Sequence, residues 1–157
     1  MIKSSNNTGF TLLELVFVII LLSILSVGAI LSWPKDMKRE ADEYAIRHAI
    51  RLAQHIAMTR PFEKAHPWGF VVENGGHSYS IQKKGTSTYA KDPTNGRDIK
   101  GIALMGGATL ICDKDGIWFD RFGTPLDYTT LSPITAEFHC RISGGTITIY
   151  PETGYVE

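Results

Sequence analysis

Glu14 is the residue whose surroundings in the sequence are chemically most unusual. It lies about one turn into a long apolar run, where a carboxylate costs roughly 2.5 to 3.5 kcal/mol at the centre of a membrane-spanning helix and less near an interface. Two interpretations are open. Either Glu14 stays hydrated at the depth of the lipid headgroups, or it meets a buried cation that neutralises its charge.

Motifs for catalysis or metal binding are missing from the sequence. No Gly-x-Ser-x-Gly elbow, phosphate-binding glycine loop, CxxC or HExxH spacing occurs. His48 and His55 are seven residues apart, which does not match a metal-ligand spacing. The sequence therefore predicts a protein that is not an enzyme and needs no metal or cofactor. A membrane-anchored hydrolase using His139 or His77 is the open alternative, because a catalytic triad can be scattered along a chain.

The composition fits one folded domain of ordinary size. The chain has 157 residues, 43% of them hydrophobic and 20% charged, so neither a disordered chain nor a second large domain is expected. Sixteen Lys and Arg residues against sixteen Asp and Glu residues give a formal net charge of zero. This balance argues against duplex nucleic acid as the main partner.

A long apolar block near the N-terminus predicts a membrane-spanning helix. Residues 15–31 include no charged side chain, and only Ser23 and Ser26 are polar. Extended to residues 10–32, the block would form about 35 Å of helix, which is enough for a bilayer of about 30 Å. It is longer than the apolar region of a cleaved secretory signal. The leader before it has Lys3 and no acid, which predicts a cytoplasmic N-terminus and a translocated C-terminal part.

The start of this block carries a family resemblance. Residues 9–15, Gly-Phe-Thr-Leu-Leu-Glu-Leu, follow a short basic leader, and this pattern resembles the prepilin-peptidase signature of type IV pilins and type II secretion pseudopilins. The resemblance implies cleavage after Gly9, N-methylation of Phe10 and retention of the apolar helix. It also implies that Glu14 meets the α-amine of a neighbouring subunit inside a filament, where the pair would set the register between subunits.

Segments further along the chain carry a finer resemblance. Residues 117–125 are similar to a strand and turn of minor pseudopilins of the GspH/FimT type, and residues 147–156 are similar to their closing strand and turn. Residues 51–60 are similar to minor pilins of mannose-sensitive-haemagglutinin (MSHA) systems. The resemblance therefore covers nearly the whole chain.

The pattern after Pro34 predicts an amphipathic helix over about residues 36–60 that Pro61 ends. Glu43 and Arg47 are spaced as an i,i+4 ion pair. The predicted apolar stripe comprises Ala41, Ala45, Ala49, Leu52 and Ile56, flanked by Ile46, Ile50, Ala53 and Ala57. The predicted polar face comprises Glu40, Glu43, Arg47, Arg51 and Gln54.

Strands and turns are expected beyond residue 61. Three hairpins are predicted: 68–72 with 78–83, 108–112 with 117–119, and 134–142 with 146–150. Residues 85–100 are expected to form a long surface loop, and Ile147 and Ile149 should point to the same side of the last strand. The predicted fold class is α+β and pilin-like: a long N-terminal helix, transmembrane in its first half and amphipathic in its second, packed against an antiparallel sheet.

Cys112 and Cys140 both fall in predicted strands of the translocated part. An even number of cysteines in an oxidising compartment predicts a disulfide, and a pair of buried free thiols is the alternative. Closing the loop of about 29 residues would contribute about 3.5 kcal/mol to stability by the chain-entropy relation.

The predicted organisation is a cleaved leader (1–9), a transmembrane and filament-core helix (10–33) and a periplasmic globular domain (34–157). Taken with the resemblance, it predicts a minor pilin or pseudopilin of the bacterial inner membrane, a structural subunit that acts in filament initiation or tip assembly. Its expected partners are other pilin or pseudopilin subunits, the prepilin peptidase and the inner-membrane assembly platform. The filament would be a type IV pilus, as used in adhesion, or a type II secretion pseudopilus, as used in protein transport.

Two alternatives to this function stay open. One is a membrane-anchored periplasmic protein that is unrelated to filaments. The other is a minor pilin that binds DNA for uptake. Its candidate basic residues are Lys83, Lys84, Lys91, Arg97 and Lys100, although nearby acids favour a solvated polar loop over a nucleic-acid surface.

Overall fold

The computed structural model describes residues 11–31, 35–142 and 144–157, with side chains in those ranges except at 24–31, 35 and 36. The chain divides into two compact units, Met1–Pro34 and Lys35–Glu157. The first contains helix α1 (Leu12–Leu31). The second contains helix α2 (Lys35–Thr59), followed in its described residues by eight short strands.

Helix α2 confirms the predicted amphipathic helix. It ends at Thr59 because Pro61 lacks a backbone N–H and disfavours helical geometry at the residue before it. The Thr59 hydroxyl donates to the carbonyl of His55 at 2.8 Å. The predicted ion pair between Glu43 and Arg47 is formed at 2.7 Å.

The buried face of α2 differs from the predicted stripe. Ile46, Ile50 and Ala53 are fully buried, whereas Ala41 and Ala45 are exposed. The N-terminal half of the predicted stripe was therefore wrong. The physical reason is that the helix turns its isoleucines to the sheets, because these side chains remove more apolar area from water than alanines do.

Two antiparallel sheets pack against α2. The first has the strand order β3-β2-β1-β5-β6, with β1 at Trp68–Glu73, β2 at Ser78–Lys83, β3 at Ile102–Ala103, β5 at Gly116–Phe119 and β6 at Pro125–Leu126. The second has the order β4-β7-β8, with β4 at Leu110–Cys112, β7 at Phe138–Ile142 and β8 at Gly145–Ile149.

Two of the three predicted hairpins are confirmed. Strands β1 and β2 pair as expected, and so do β7 and β8. The hairpin between 108–112 and 117–119 was wrong, because β4 pairs with β7 while β5 pairs with β1. All four residues of β5 are buried. Successive side chains of a strand point to opposite faces, so both faces of β5 are packed against other residues. A two-stranded hairpin at the surface would leave one face exposed to solvent.

The main core lies between α2 and the two sheets. It includes Ile46 and Ile50 of α2, Phe70 and Ile117 of the first sheet, and Ile147 of the second. Ile149 is buried with Ile147, as the alternation predicted. Side chains on the other face of the first sheet form a second, smaller cluster that comprises Val71, Trp118 and Leu126, with Tyr128 and Leu131 packed against it.

Residues 85–100 fold back onto β2 instead of forming a solvated loop throughout. Ala90 and Ile99 are 0% and 8% exposed. The N–H of Ile81 donates to the carbonyl of Ile99 at 3.0 Å, and its carbonyl accepts from the N–H of Ala90 at 2.8 Å. The prediction of an exposed loop is correct for residues 93–98. It was wrong for the residues on either side, because isolated apolar residues such as Ala90 and Ile99 give no periodic signal in the sequence.

Candidate functional site

Helix α1 begins at a capped N-terminus that includes Glu14. The backbone N–H of Glu14 donates to the carbonyl of Thr11 at 3.1 Å and lies 3.3 Å from its hydroxyl oxygen. Thr11 is therefore the N-cap and Glu14 the third helical residue, which is the spacing of a capping box. An acid in the first turn also faces the positive end of the helix dipole. Thr11 was not predicted as a cap from the sequence, although the Thr-x-x-Glu pattern signals it.

The described side chains of α1 are exposed on every face. Leu12 and Leu13 are 82% and 79% exposed. The hydroxyl of Ser23 donates to the carbonyl of Ile19 at 2.7 Å, so it is satisfied within the helix. A helix that is apolar on all sides is typical of one that other apolar material covers. The exposed large side chains are Leu12, Leu13, Leu15, Val16, Phe17, Val18, Ile19, Ile20, Leu21 and Leu22.

The predicted processing site, Gly9 and Phe10, lies outside the described residues. The range that was predicted to span a membrane, residues 10–33, contains helix α1 (Leu12–Leu31), and its role as a span stays a prediction. In the part of the chain that the structure describes, no helix reaches the length and hydropathy needed to cross a membrane.

The predicted disulfide is present between Cys112 of β4 and Cys140 of β7. The two residues lie directly opposite each other in the ladder of the second sheet, with Cα atoms 4.0 Å apart. Cys140 is fully buried in the main core. The bridge therefore ties an outer strand to the centre of its sheet, and the alternative of two free thiols does not apply.

His139, a candidate for the hydrolase alternative, lies between two carboxylates. Its ring nitrogens are each 3.4 Å from a carboxylate oxygen, one of Asp113 and one of Glu137. Nucleophilic catalysis needs a hydroxyl or thiol within hydrogen-bonding reach of the base. Among the described residues, the ring of His139 has no such hydrogen bond, and no cluster of three or more His, Cys, Asp or Glu side chains could hold a metal ion. His77 is exposed at the tip of the β1–β2 hairpin.

Four of the five basic residues of the DNA-binding alternative make contacts within the fold. Their partners are Glu63 for Lys83 at 2.7 Å, Asp98 for Lys91 at 2.7 Å, the Tyr128 carbonyl for Lys84 and the Tyr89 ring for Lys100. The hydrogen bond and charge of Lys83 hold the pKa of Glu63 below its ordinary value. The carboxylates neutralise the charges of Lys83 and Lys91, which favours the interpretation as a solvated polar surface.

The polar face of α2 makes further contacts that were not predicted from the sequence. The Arg51 guanidinium donates to the carbonyl of Val156 at 2.7 Å. The Gln54 amide donates to the carbonyls of Gly123 and Thr153 at 2.9 and 3.1 Å. Residues assigned to a solvent-facing surface therefore anchor two distant turns. No local pattern in the sequence signals these contacts.

Comparison with known proteins identifies the N-terminal segment. Residues 4–30 match the family model described as the prokaryotic N-terminal methylation motif, and this range contains Gly9, Phe10 and Glu14. No curated protein and no solved structure matches the chain significantly.

The methylation motif is the hallmark of type IV pilins and pseudopilins, and the chain carries it. The α+β arrangement, with helix α2 packed against antiparallel sheets, is pilin-like as well. The motif implies processing by prepilin peptidase and assembly with other pilins. The resemblance is thus confirmed for the N-terminal methylation motif, and the likeness to GspH/FimT and MSHA proteins stays a prediction.

Proposed function

We propose that the chain is a minor pilin or pseudopilin, a structural subunit that is built into a filament and not an enzyme. One observation carries this proposal: the segment that matches the methylation motif contains nearly all of helix α1, whose described apolar side chains are all exposed. The periplasmic domain would then comprise residues 34–157. The proposed role includes filament initiation or tip assembly in a type IV pilus or a type II secretion pseudopilus.

The exposed surface of α1 supports insertion in a bilayer before assembly. Ten large apolar side chains between Leu12 and Leu22 are exposed. Because these side chains are 43% to 82% exposed and fully burying one contributes about 1.5 to 3 kcal/mol, leaving them in water would cost on the order of 10 kcal/mol. The proposed arrangement is a single pass through the inner membrane, followed by transfer into the apolar core of a filament. The prepilin peptidase and the assembly platform are the partners in these steps.

Glu14 has a specific role in this proposal. After cleavage behind Gly9, the α-amine of Phe10 and the carboxylate of Glu14 would lie at the same end of the helix. A stagger between neighbouring helices would then bring the carboxylate of one subunit to the amine of the next. An unpaired charge in an apolar filament core is costly, while a matched pair is tolerated. The pair would therefore select one register.

Processing of the N-terminus tests the proposal. The full chain is produced in cells with a prepilin peptidase, and its intact mass is measured. We expect loss of residues 1–9 and addition of one methyl group. A Gly9→Val variant should insert in the membrane but keep its leader, because the side chain blocks the cleavage position. The matched control Ser5→Val should be processed normally. A chain that still begins at Met1, or one cut beyond the apolar block, would contradict the proposal.

A further inference from the structure

An open cleft of about 900 Å³ lies beside the end of strand β8. The rings of Tyr150 and Tyr155 line it, with their centroids 6.0 Å apart. Glu137 and Glu152 also contribute to its lining, together with apolar atoms that include those of Pro151. No lysine or arginine is among the described residues that line this cleft, which we name the tyrosine cleft.

The tyrosine cleft is built on a closed hairpin. Thr148 and Glu157 exchange two backbone hydrogen bonds at 3.1 and 2.9 Å, and the N–H of Tyr150 donates to the carbonyl of Tyr155 at 3.0 Å. The contact from Arg51 to the Val156 carbonyl fixes this hairpin to α2. A site held in this way loses little conformational freedom when a ligand binds.

The charges around the tyrosine cleft are negative. The hydroxyl of Tyr150 donates to the carboxylate of Glu157 at 2.9 Å. This hydrogen bond, reinforced by the charges of Glu157 and Glu137, raises the pKa of Tyr150 above its ordinary value. His139 contacts Glu137 at 3.4 Å and is the cationic group that could compete when it is protonated. Carboxylates beside aromatic rings favour a cation over an anion as the occupant.

We propose that the tyrosine cleft binds an arginine side chain of a partner polypeptide. A planar guanidinium stacks on aromatic rings and forms paired hydrogen bonds with carboxylates, which a compact ammonium does less well. The apolar part of the lining suits the methylene stem of arginine. The proposal concerns the unit Lys35–Glu157 and does not rest on the filament role of α1.

Nuclear magnetic resonance of the full chain in detergent micelles, with ¹³C-labelled tyrosine rings, tests this site. The probe is the peptide acetyl-Gly-Arg-Gly-Arg-Gly-amide, titrated at about pH 8. We expect the ring signals of Tyr150 and Tyr155 to shift. The same peptide with citrulline for arginine, which keeps the shape and removes the charge, should bind at least about tenfold more weakly. Added salt should weaken the binding of the arginine peptide but not that of the citrulline peptide.

Variants show which residues carry the binding. The double variant Glu137→Gln/Glu152→Gln and the single variant Tyr155→Ser should each weaken it about tenfold. The control Glu40→Gln/Asp98→Asn removes the same charge elsewhere on the surface and should change nothing. Equal binding of the citrulline peptide, or no effect of the cleft variants, would overturn the proposal. So would ring shifts produced by neutral maltotetraose but not by the arginine peptide, because they would assign the rings to a sugar.

Discussion

The buried carboxylate of Asp42 accepts a hydrogen bond from the backbone N–H of Gly106 at 2.9 Å. Its other oxygen accepts from the N–H of Met105 at 2.8 Å, and Asp42 is only 3% exposed. These bonds join the first half of α2 to the turn after β3. The Asp42 carboxylate thus provides the hydrogen-bond acceptor that two backbone N–H groups of that turn would otherwise need from a helix or a sheet.

Replacing Asp42 by alanine should lower the free energy of unfolding by about 3 kcal/mol, because two N–H groups lose a charged acceptor. Asp42→Asn keeps one oxygen and should lose about half as much. The measurement is urea unfolding of a fragment comprising residues 35–157, followed by tryptophan fluorescence. Exposed Glu40 provides the control, since Glu40→Ala should change stability by less than about 0.5 kcal/mol. Equal losses at positions 40 and 42 would contradict this role.

Gly154 lies where Gln54 anchors the C-terminal turn. Its φ is +65°, and a Cβ atom there would collide with the amide nitrogen of Gln54 and lie 2.5 Å from the carbonyl oxygen of Gly123. Gly96 has a similar φ of +70° but open space around it. Gly154→Ala should therefore cost about 3 kcal/mol or more, from overpacking and backbone strain together. Gly96→Ala should cost about 1 kcal/mol from strain alone. Thermal unfolding compares the stability of the two variants. Equal losses of stability would show that the close contacts at Gly154 do not affect the stability of the fold.

Local patterns were enough to predict α2 and two hairpins. The helix has a continuous 3.6-residue period and a proline stop. The hairpins from β1 to β2 and from β7 to β8 have glycine-rich turns between runs of strand-forming residues. The apolar run and Glu14 likewise identified the candidate site, because a charge within such a run is rare.

Contacts between distant segments were not predictable in the same way. The turn at residues 113–115 looks like a hairpin turn, yet it carries the chain from β4 in one sheet to β5 in the other. The continuous apolar run Ile117-Trp118-Phe119 signals a strand buried on both faces, which a surface hairpin does not have. Asp42 and Gln54 bind backbone groups 63 or more residues away. Nothing in a local pattern distinguishes such polar residues from solvated ones.

The disulfide should contribute to the stability of the second sheet. Replacing both Cys112 and Cys140 by serine opens a loop of about 29 residues, and the free energy of unfolding should fall by about 3.5 kcal/mol. The measurement is urea unfolding of the oxidised protein and of the double variant. Alkylation under non-reducing, denaturing conditions gives the control, since the oxidised protein should take up no label. Full labelling of both thiols would contradict the disulfide.

Asp127 should make stability depend on pH in the acid range. Hydrogen bonds from the N–H groups of Thr130 and Thr129, at 2.8 and 2.9 Å, lower its pKa from 3.8 to about 2. The folded state therefore binds fewer protons at Asp127 than the unfolded state does. The contribution of Asp127 to the free energy of unfolding is fully present above about pH 4 and is lost as the pH falls through about 2.

Asp127→Asn removes this charge, so the variant should be less stable than the original protein at about pH 6, and the difference should shrink towards about pH 2. Urea unfolding at a series of pH values gives the comparison. Lys114→Gln removes the cation 3.5 Å from the same carboxylate but should leave most of the pH-dependent difference, because the N–H groups are the larger cause. If the difference in unfolding free energy between the original protein and the Asp127→Asn variant stays constant with pH, the proposed role of Asp127 is wrong.

Glu14 has two possible roles that one pair of variants separates. As part of a capping box with Thr11, it stabilises the start of α1, and glutamine can replace it because the amide also fits that motif. As the partner of a neighbouring α-amine, it must carry a negative charge, which glutamine lacks. Glu14→Gln therefore keeps the cap and removes the charge, while Glu14→Leu removes both.

The pairing role predicts that both variants insert in the membrane and are cleaved after Gly9 but fail to enter filaments. Breaking a buried ion pair costs about 3 to 5 kcal/mol, so incorporation should fall at least about a hundredfold. Glu14→Asp keeps the charge and should recover part of the incorporation into filaments. The measurement is the amount of protein in sheared filaments, or cross-linked to other pilins, divided by the amount in the membrane. If Glu14→Gln enters filaments normally and only Glu14→Leu fails, Glu14 acts as a cap and the pairing role is wrong.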